Sequence, residues 1–226
     1  MNLALFDLDH TLLPFDSGMA WMEFLVEHGA LPAGAQARYL DSCRHYVAGA
    51  ADIHALHRAG VGALAGMPAP ERIAWRHAFE SRMAGQLPAD MLALVRRHRA
   101  AGDRCAIVTA TSRFVAEPFA RLFGVGHLLA TESATADGST DGEWTGEIDG
   151  LPCHREHKVT HVARWLAGLD PPLTLDAFEC TWFYSDSAND LPLLEAVTHP
   201  VAVRPDARLR ERALRDNWPI LDAPAA

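Results

Sequence analysis

Three observations predict an α/β protein with a doubly wound parallel sheet. Four short apolar runs suit strands buried on both faces: residues 3–7 (LALFD), 105–109 (CAIVT), 181–185 (TWFYS) and 200–203 (PVAV). Helical patterns separate these runs, and strands alternating with helices make βαβ units. The first three runs also end in polar residues. Parallel strands direct their carboxyl ends to one edge, where open α/β sheets bind ligands.

Each element follows in chain order. After the first run, residues 17–85 contain no good strand and are rich in Ala, Leu, His and aromatics, which predicts several helices inserted behind the first strand. Between Pro88 and Gly102, Met91, Leu92, Leu94 and Val95 form an apolar stripe, basic residues fill the last turn, and Gly102 can end the helix. Ser112 can cap a helix that carries Val115, Phe119, Leu122 and Phe123 and stops at Gly124. Residues 131–152 are rich in Gly, Asp, Thr and Ser, and their Asp-Gly pairs favour tight turns, so a β-hairpin or small flap is predicted. A helix over residues 156–169 buries Val159, Val162, Ala163 and Leu166. The predicted division is an α/β core of residues 1–15 and 86–226 and a helical cap of residues 16–85.

The chain has 226 residues, of which 49% are hydrophobic and 22% charged, so it is neither disordered nor a disulfide-stapled miniature fold. Lys and Arg number 20 against 29 Asp and Glu, a net charge of −9, with no dense basic run. Duplex nucleic acid, which needs clustered cations, is an unsuitable partner. Acids interrupt the apolar N-terminus at Asp7 and Asp9, and no apolar stretch is long enough to span a bilayer. A cytoplasmic protein without membrane contact is expected. The widely spaced Cys43, Cys105, Cys153 and Cys180 are then expected as reduced thiols.

The chemistry lies in the strand ends: Asp7-Leu8-Asp9-His10-Thr11, Thr109-Ala110-Thr111-Ser112 and Asp186-Ser187-Ala188-Asn189-Asp190. Carboxylates gathered at one edge repel unless a cation holds them, and oxygen ligands favour a hard ion such as Mg²⁺. In an extended segment Asp7 and Asp9 point the same way, so one can attack as nucleophile while the other moves a proton. Thr109 supplies a hydroxyl, and Lys158, in the first turn of its helix, a cation. Together they describe a site for a phosphoryl group.

These motifs in this order, DLDHT, VTATS, the isolated Lys158 and SDSAND, resemble those of the haloacid dehalogenase superfamily of phosphohydrolases over nearly the whole chain. The branch with a helical insert after the first motif, which includes phosphoserine phosphatase-like proteins, is the most similar. The resemblance implies a Rossmann-like core and a cap. It makes Asp7 the nucleophile that forms an aspartyl-phosphate, and Asp9 the general acid/base whose carbonyl also ligates the metal. Thr109 and Lys158 hold the phosphoryl oxygens, Asp186 is the acidic metal ligand, and Asn189 and Asp190 support metal and Lys. Thr11 and Ala110 complete the surroundings. Asp16 stands where relatives carry a Glu for the substrate's amine, and Arg58 is a weak match to their cap Arg. Thr109-Ala110-Thr111 replaces Ser-Gly-Gly, and Arg155-Glu156-His157-Lys158 replaces Gly-x-Gly-Lys. The implied substrate is a small phosphate ester of the phosphoserine or histidinol phosphate type.

Other readings stand beside these. Asp16 also suits a helix N-cap. Phe15, Trp21 and Phe24 suit either a substrate pocket or the insert's own core. His157 and His161 lie one helical turn apart, a spacing compatible with zinc, but no second pair follows at a standard distance. The aspartyl-phosphate could pass to another alcohol, which would make a phosphotransferase. A phosphorylated receiver module shares the Asp, Thr and Lys chemistry but is about half as long and has no such insert.

Overall fold

The apolar tetrapeptide Leu3–Phe6 forms β1, with all four residues buried, at the centre of a seven-stranded sheet. The structure is a computed structural model and describes residues 1–47, 49–139 and 142–222. The other strands are β2 (Arg104–Ser112), β3 (His127–Thr135), β4 (Trp144–Asp149), β5 (Thr181–Ser185), β6 (His199–Val203) and β7 (Ile220–Leu221). Their order is β4-β3-β2-β1-β5-β6-β7, parallel except for β4, which runs antiparallel to β3. This is the doubly wound α/β class.

Four helices fill the insertion between β1 and β2: α1 (Ser17–Glu27), α2 (Ala35–Val47), α3 (Ile53–Val61) and α4 (Ala69–Met83). The helices α5 (Ala89–Ala100), α6 (Arg113–Phe123), α7 (His157–Ala167), α8 (Leu191–Leu194) and α9 (Ala207–Arg215) flank the sheet. One apolar cluster joins Phe6 and Ile107 of the sheet to Phe119 of α6 and to Trp21, Phe24 and Phe79 of the insert. The other joins Leu5, Val108 and Phe183 to Val162 and Leu166 of α7. Burial on both faces is why the strand residues read as unbroken apolar runs.

The structure departs from the sequence reading at several boundaries. β2 continues past Thr109 to Ser112, because an irregularity in register after Val108 lets Ser112 pair with Thr131. The flap strand is the far half of β3, whose near half pairs in parallel with β2. Of the expected turn pair Asp141-Gly142, Asp141 lies outside the described residues. Ser112 precedes α6 as predicted, but its side chain makes no capping hydrogen bond. Gly124 ends α6 with a left-handed φ of 68°, which glycine adopts without steric cost. The two-residue β7 is too short to leave a pattern. All four cysteines are free. No helix among the described residues is long and apolar enough to cross a membrane.

Candidate active site

The register of the three central strands assembles the site. Phe6 pairs with Ile107 on one side and Tyr184 on the other. Asp7 and Ser185 follow at the carboxyl edge, and the Asp7 N–H donates to the Tyr184 carbonyl at 2.9 Å. After Asp7 the chain makes one wide turn over residues 8–12, closed by the Leu13 N–H on the Leu8 carbonyl at 2.9 Å. Within it Asp9 stays extended and His10 takes a left-handed φ of 57°.

Lys158 reaches this edge from the first turn of α7. Its Nζ donates to Asp7 Oδ1 and to Asp190 Oδ2, each at 2.7 Å, with all three side chains buried. Ser185 Oγ also donates to Asp190 Oδ2 at 2.7 Å. Thr11 Oγ1 donates to Asp186 Oδ1 at 3.0 Å. Asn189 is half-buried, and its N–H donates to Ser187 Oγ at 3.2 Å. Burial foremost, then the neighbouring Asp190 and Asp186 carboxylates, push the Asp7 pKa well above the usual range, against the opposing pull of Lys158. Burial also pushes Asp186 up to about 6, opposed by the Thr11 hydrogen bond. Burial works against the Lys158 ammonium too, but the Asp190 and Asp7 carboxylates outweigh it and hold the group protonated.

Asp7 and Asp190 share the one ammonium, and Asp186 beside them adds an excess of negative charge that suits a cation. Among the described residues no three His, Cys, Asp or Glu side chains form a ready-made metal cluster. Magnesium does not demand one: it keeps several waters and is held by one or two carboxylates plus substrate oxygens. Asp7 and Asp186, close enough for their charges to interact, are two carboxylates that could hold such an ion.

Asp9 faces the insert. Its Oδ1 accepts from the Ser17 N–H at 2.7 Å and its Oδ2 from the Thr111 hydroxyl. The Thr111 N–H in turn donates to the buried Thr109 Oγ1 at 3.1 Å. The Ala110 carbonyl accepts from Thr131 Oγ1 at 2.8 Å. Above Asp9 lies a cavity of about 170 Å³ between the insert and the sheet edge, walled by Asp16, Trp21, Tyr39, Tyr46, His57 and Thr111 among others. No Lys or Arg is among its described lining residues.

Asp16 serves both of its sequence readings. Its Oδ1 accepts from the Met19 N–H at 2.7 Å as the cap of α1, and it lines the cavity. Burial, then the charge of Asp9, raises its pKa to about 6. Arg58 is not brought to the acidic cluster or the cavity wall: it pairs with Glu147 of β4 at 3.1 Å on the surface. Phe15 and Phe24 pack into the apolar core, against Phe119 and Phe79, while Trp21 does so and also lines the cavity. His161 Nε2 lies 3.0 Å from the Leu151 carbonyl, and His154 Nε2 lies 2.8 Å from the Tyr46 hydroxyl. Sequence reasoning missed Thr111, Ser17, Ser185 and His57. Thr111 had a signal, since it repeats on β2 the two-residue spacing of Asp7 and Asp9.

A buried Asp–Lys–Asp network at the carboxyl edge of a doubly wound sheet, under a helical insert, defines a phosphohydrolase architecture. Residues 4–195 match the haloacid dehalogenase-like hydrolases, and the chain belongs to that family. It is a phosphomonoesterase by class. It is similar to a histidinol-phosphatase of Neisseria meningitidis serogroup C, at 36% identity over 98% of each chain. It is also similar to phosphoserine phosphatase SerB1 of Mycobacterium tuberculosis, at 31% identity over 97% of this chain and 70% of the other. Among solved structures, a protein of unknown function from Bordetella pertussis Tohama I superposes with a TM-score of 0.89 at 44% identity over 98% of each chain.

Proposed function

We propose that the chain hydrolyses a small phosphorylated amino alcohol, of the histidinol phosphate type, in two steps through an aspartyl-phosphate, an acyl phosphate on Asp7. The observation that carries this reading is the hydrogen-bonded set Asp7, Lys158 and Asp190 beside Asp186 and Asp9. Lys158 holds Asp7 Oδ1, which leaves the second oxygen to attack phosphorus. Asp9 gives a proton to the leaving oxygen and then takes one from the attacking water, its carboxyl aimed by Ser17 and Thr111. Lys158 and Thr109 steady the phosphoryl oxygens as charge redistributes. Asp7, Asp186 and the Asp9 carbonyl would hold Mg²⁺, which supplies positive charge against the phosphoryl oxygens and favours ionised Asp7.

The lining of the cavity supports an amine-bearing ester without a carboxylate. Asp16 offers negative charge to an ammonium, and no Lys or Arg of the described lining meets a carboxylate. The meningococcal relative is a histidinol-phosphatase. The test is phosphate release over a panel including histidinol phosphate and phosphoserine, with Mg²⁺ or EDTA. Asp7→Asn is expected to lower turnover of every ester by at least about a thousandfold. Retained activity in clean Asp7→Asn protein would remove the nucleophile from the mechanism.

A further inference from the structure

The two oxygens of the Asp9 carboxyl are held by donors of different kinds. Oδ1 accepts from the Ser17 N–H at 2.7 Å, a backbone group in the first turn of α1 that always donates. Oδ2 accepts from the Thr111 hydroxyl. A hydroxyl carries one proton and two lone pairs and turns about its C–O bond to suit its neighbours. The buried Ser17 hydroxyl lies 3.4 Å from Thr111 Oγ1, so this rotor has a second polar neighbour besides Asp9. The Thr111 N–H, on Thr109 Oγ1 at 3.1 Å, keeps the backbone beneath it in place.

This asymmetry decides which oxygen can take a proton. A carboxyl that gains a proton keeps one good acceptor, the oxygen left bare. A proton on Oδ1 would leave the fixed Ser17 N–H aimed at the poorer acceptor, and an ill-met buried donor costs free energy. A proton on Oδ2 carries no such penalty, because the Thr111 hydroxyl turns aside. The cavity lies on the same side: Thr111 lines it together with Asp9, whereas Ser17 is not among its described lining residues. A proton on Oδ2 therefore stands where the cavity would seat the leaving alcohol.

We infer that Thr111 is a positioning residue for the transferred proton: Asp9 carries that proton on Oδ2, and the Thr111 hydroxyl turns with it, towards Oδ2 when that oxygen is bare and towards Ser17 Oγ when it is protonated. In the first step the Oδ2–H bond breaks and the leaving oxygen takes the proton, as the ester P–O bond breaks and Asp7 bonds to phosphorus. In the second a water proton returns to Oδ2, as the water oxygen bonds to phosphorus and the bond from Asp7 breaks. The carboxyl keeps one position throughout, because only a hydroxyl hydrogen moves around it. The inference rests on the two-step hydrolysis proposed above and deepens it by naming the oxygen that carries the proton and the group that yields to it.

The test compares wild type, Thr111→Val, Thr111→Ala and Thr111→Ser, each with Mg²⁺, on an alkyl and an aryl ester. The alkyl ester is histidinol phosphate, or in its place the alkyl ester of the panel that the wild type turns over fastest, and the aryl ester is 4-nitrophenyl phosphate. Nitrophenolate departs without a proton, whereas an alkoxide needs one. The readout is kcat/KM, which covers the steps up to departure of the alcohol. In the valine and alanine variants it is expected to fall at least about tenfold more for the alkyl ester than for the aryl ester, since proton transfer by a positioned group is worth about 10²–10⁴. Thr111→Ser, which keeps the hydroxyl, is expected to stay within about threefold of wild type on both esters. A merely structural defect lowers both esters alike, so equal losses overturn the inference, as does a serine variant as impaired as the valine one. If the wild type turns over no phosphate ester, the hydrolase reading fails and this inference with it. Wild-type activity with equal losses removes the Thr111 assignment alone.

Discussion

Lys158 answers two carboxylates with one ammonium, away from water, so its removal leaves Asp7 and Asp190 buried without compensation. Breaking one side of a buried ion pair typically costs about 3–5 kcal/mol. Lys158→Ala is therefore expected to lose roughly that much stability in denaturant unfolding as well as its activity. Unchanged stability would mean that water reaches the pocket. Gly18 has a different constraint. A Cβ built there would collide with the Tyr39 hydroxyl, and one at Gly60 would stand 3.2 Å from the same ring. The two glycines form the slot that seats Tyr39 on the cavity wall. Helix propensity alone says Gly18→Ala stabilises α1 by about 0.5–1 kcal/mol. The contact predicts the opposite, a loss of about 1–3 kcal/mol together with a raised KM. A melting temperature that rises would show that Tyr39 moves aside freely.

The insert's helices are unequally anchored. Trp21 and Phe24 of α1 and Phe79 of α4 pack on one another, and Phe79 meets Phe119 of α6 with ring centroids 5.7 Å apart. Arg76–Glu117 and Arg121–Glu80 ion pairs also tie α4 to α6. By contrast Ala35 is the only fully buried residue of α2 among those described, and α2 is held by half-buried Tyr39 packed on the core and by the Tyr46–His154 contact. α3 joins β4 through the exposed Arg58–Glu147 pair. Surface pairs contribute about 0–1 kcal/mol. Amide hydrogen exchange is therefore expected to be faster in α2 than in α1 or α4. That ordering would make α2 and α3 the part of the proposed cap that opens for substrate. Uniform exchange across the insert would instead favour motion of all of residues 16–85 together.

At the scale of the whole molecule, the edge of the sheet concentrates acid, and the sign of its pH dependence follows. Asp186 titrates near 6 and Asp7 is raised, both above their unfolded values near 3.8. Without a cation, a raised carboxylate contributes stability that is full below the unfolded pKa and is lost as pH rises through the folded one. Magnesium held as proposed would reverse this by binding the ionised forms, competing with protons at pH 5 and meeting free carboxylates at pH 7.5. The rise in Tm on adding Mg²⁺ is expected to be larger at pH 7.5 than at pH 5. An equal shift at both would place the ion elsewhere.

Asp7, Asp9, Lys158, Asp186 and Asp190 were legible from residue type, order and spacing. Each ends a strand or opens a helix, and those local positions already direct it to the carboxyl edge. The alternation of apolar runs and amphipathic helices likewise made the parallel sheet legible, because burial on both faces leaves a linear signature. The cavity left no such trace. Its wall combines residues of α1, α2, α3, β2 and β4, and Trp21, Tyr39 and His57 become neighbours only through packing between distant helices. For the same reason Arg58, a substrate ligand only by its weak match to the family's cap Arg, faces Glu147, 89 residues further along the chain. Chain-local patterns therefore account for the acidic carboxyl edge, whereas the contacts that shape the cavity beside it depend on long-range packing.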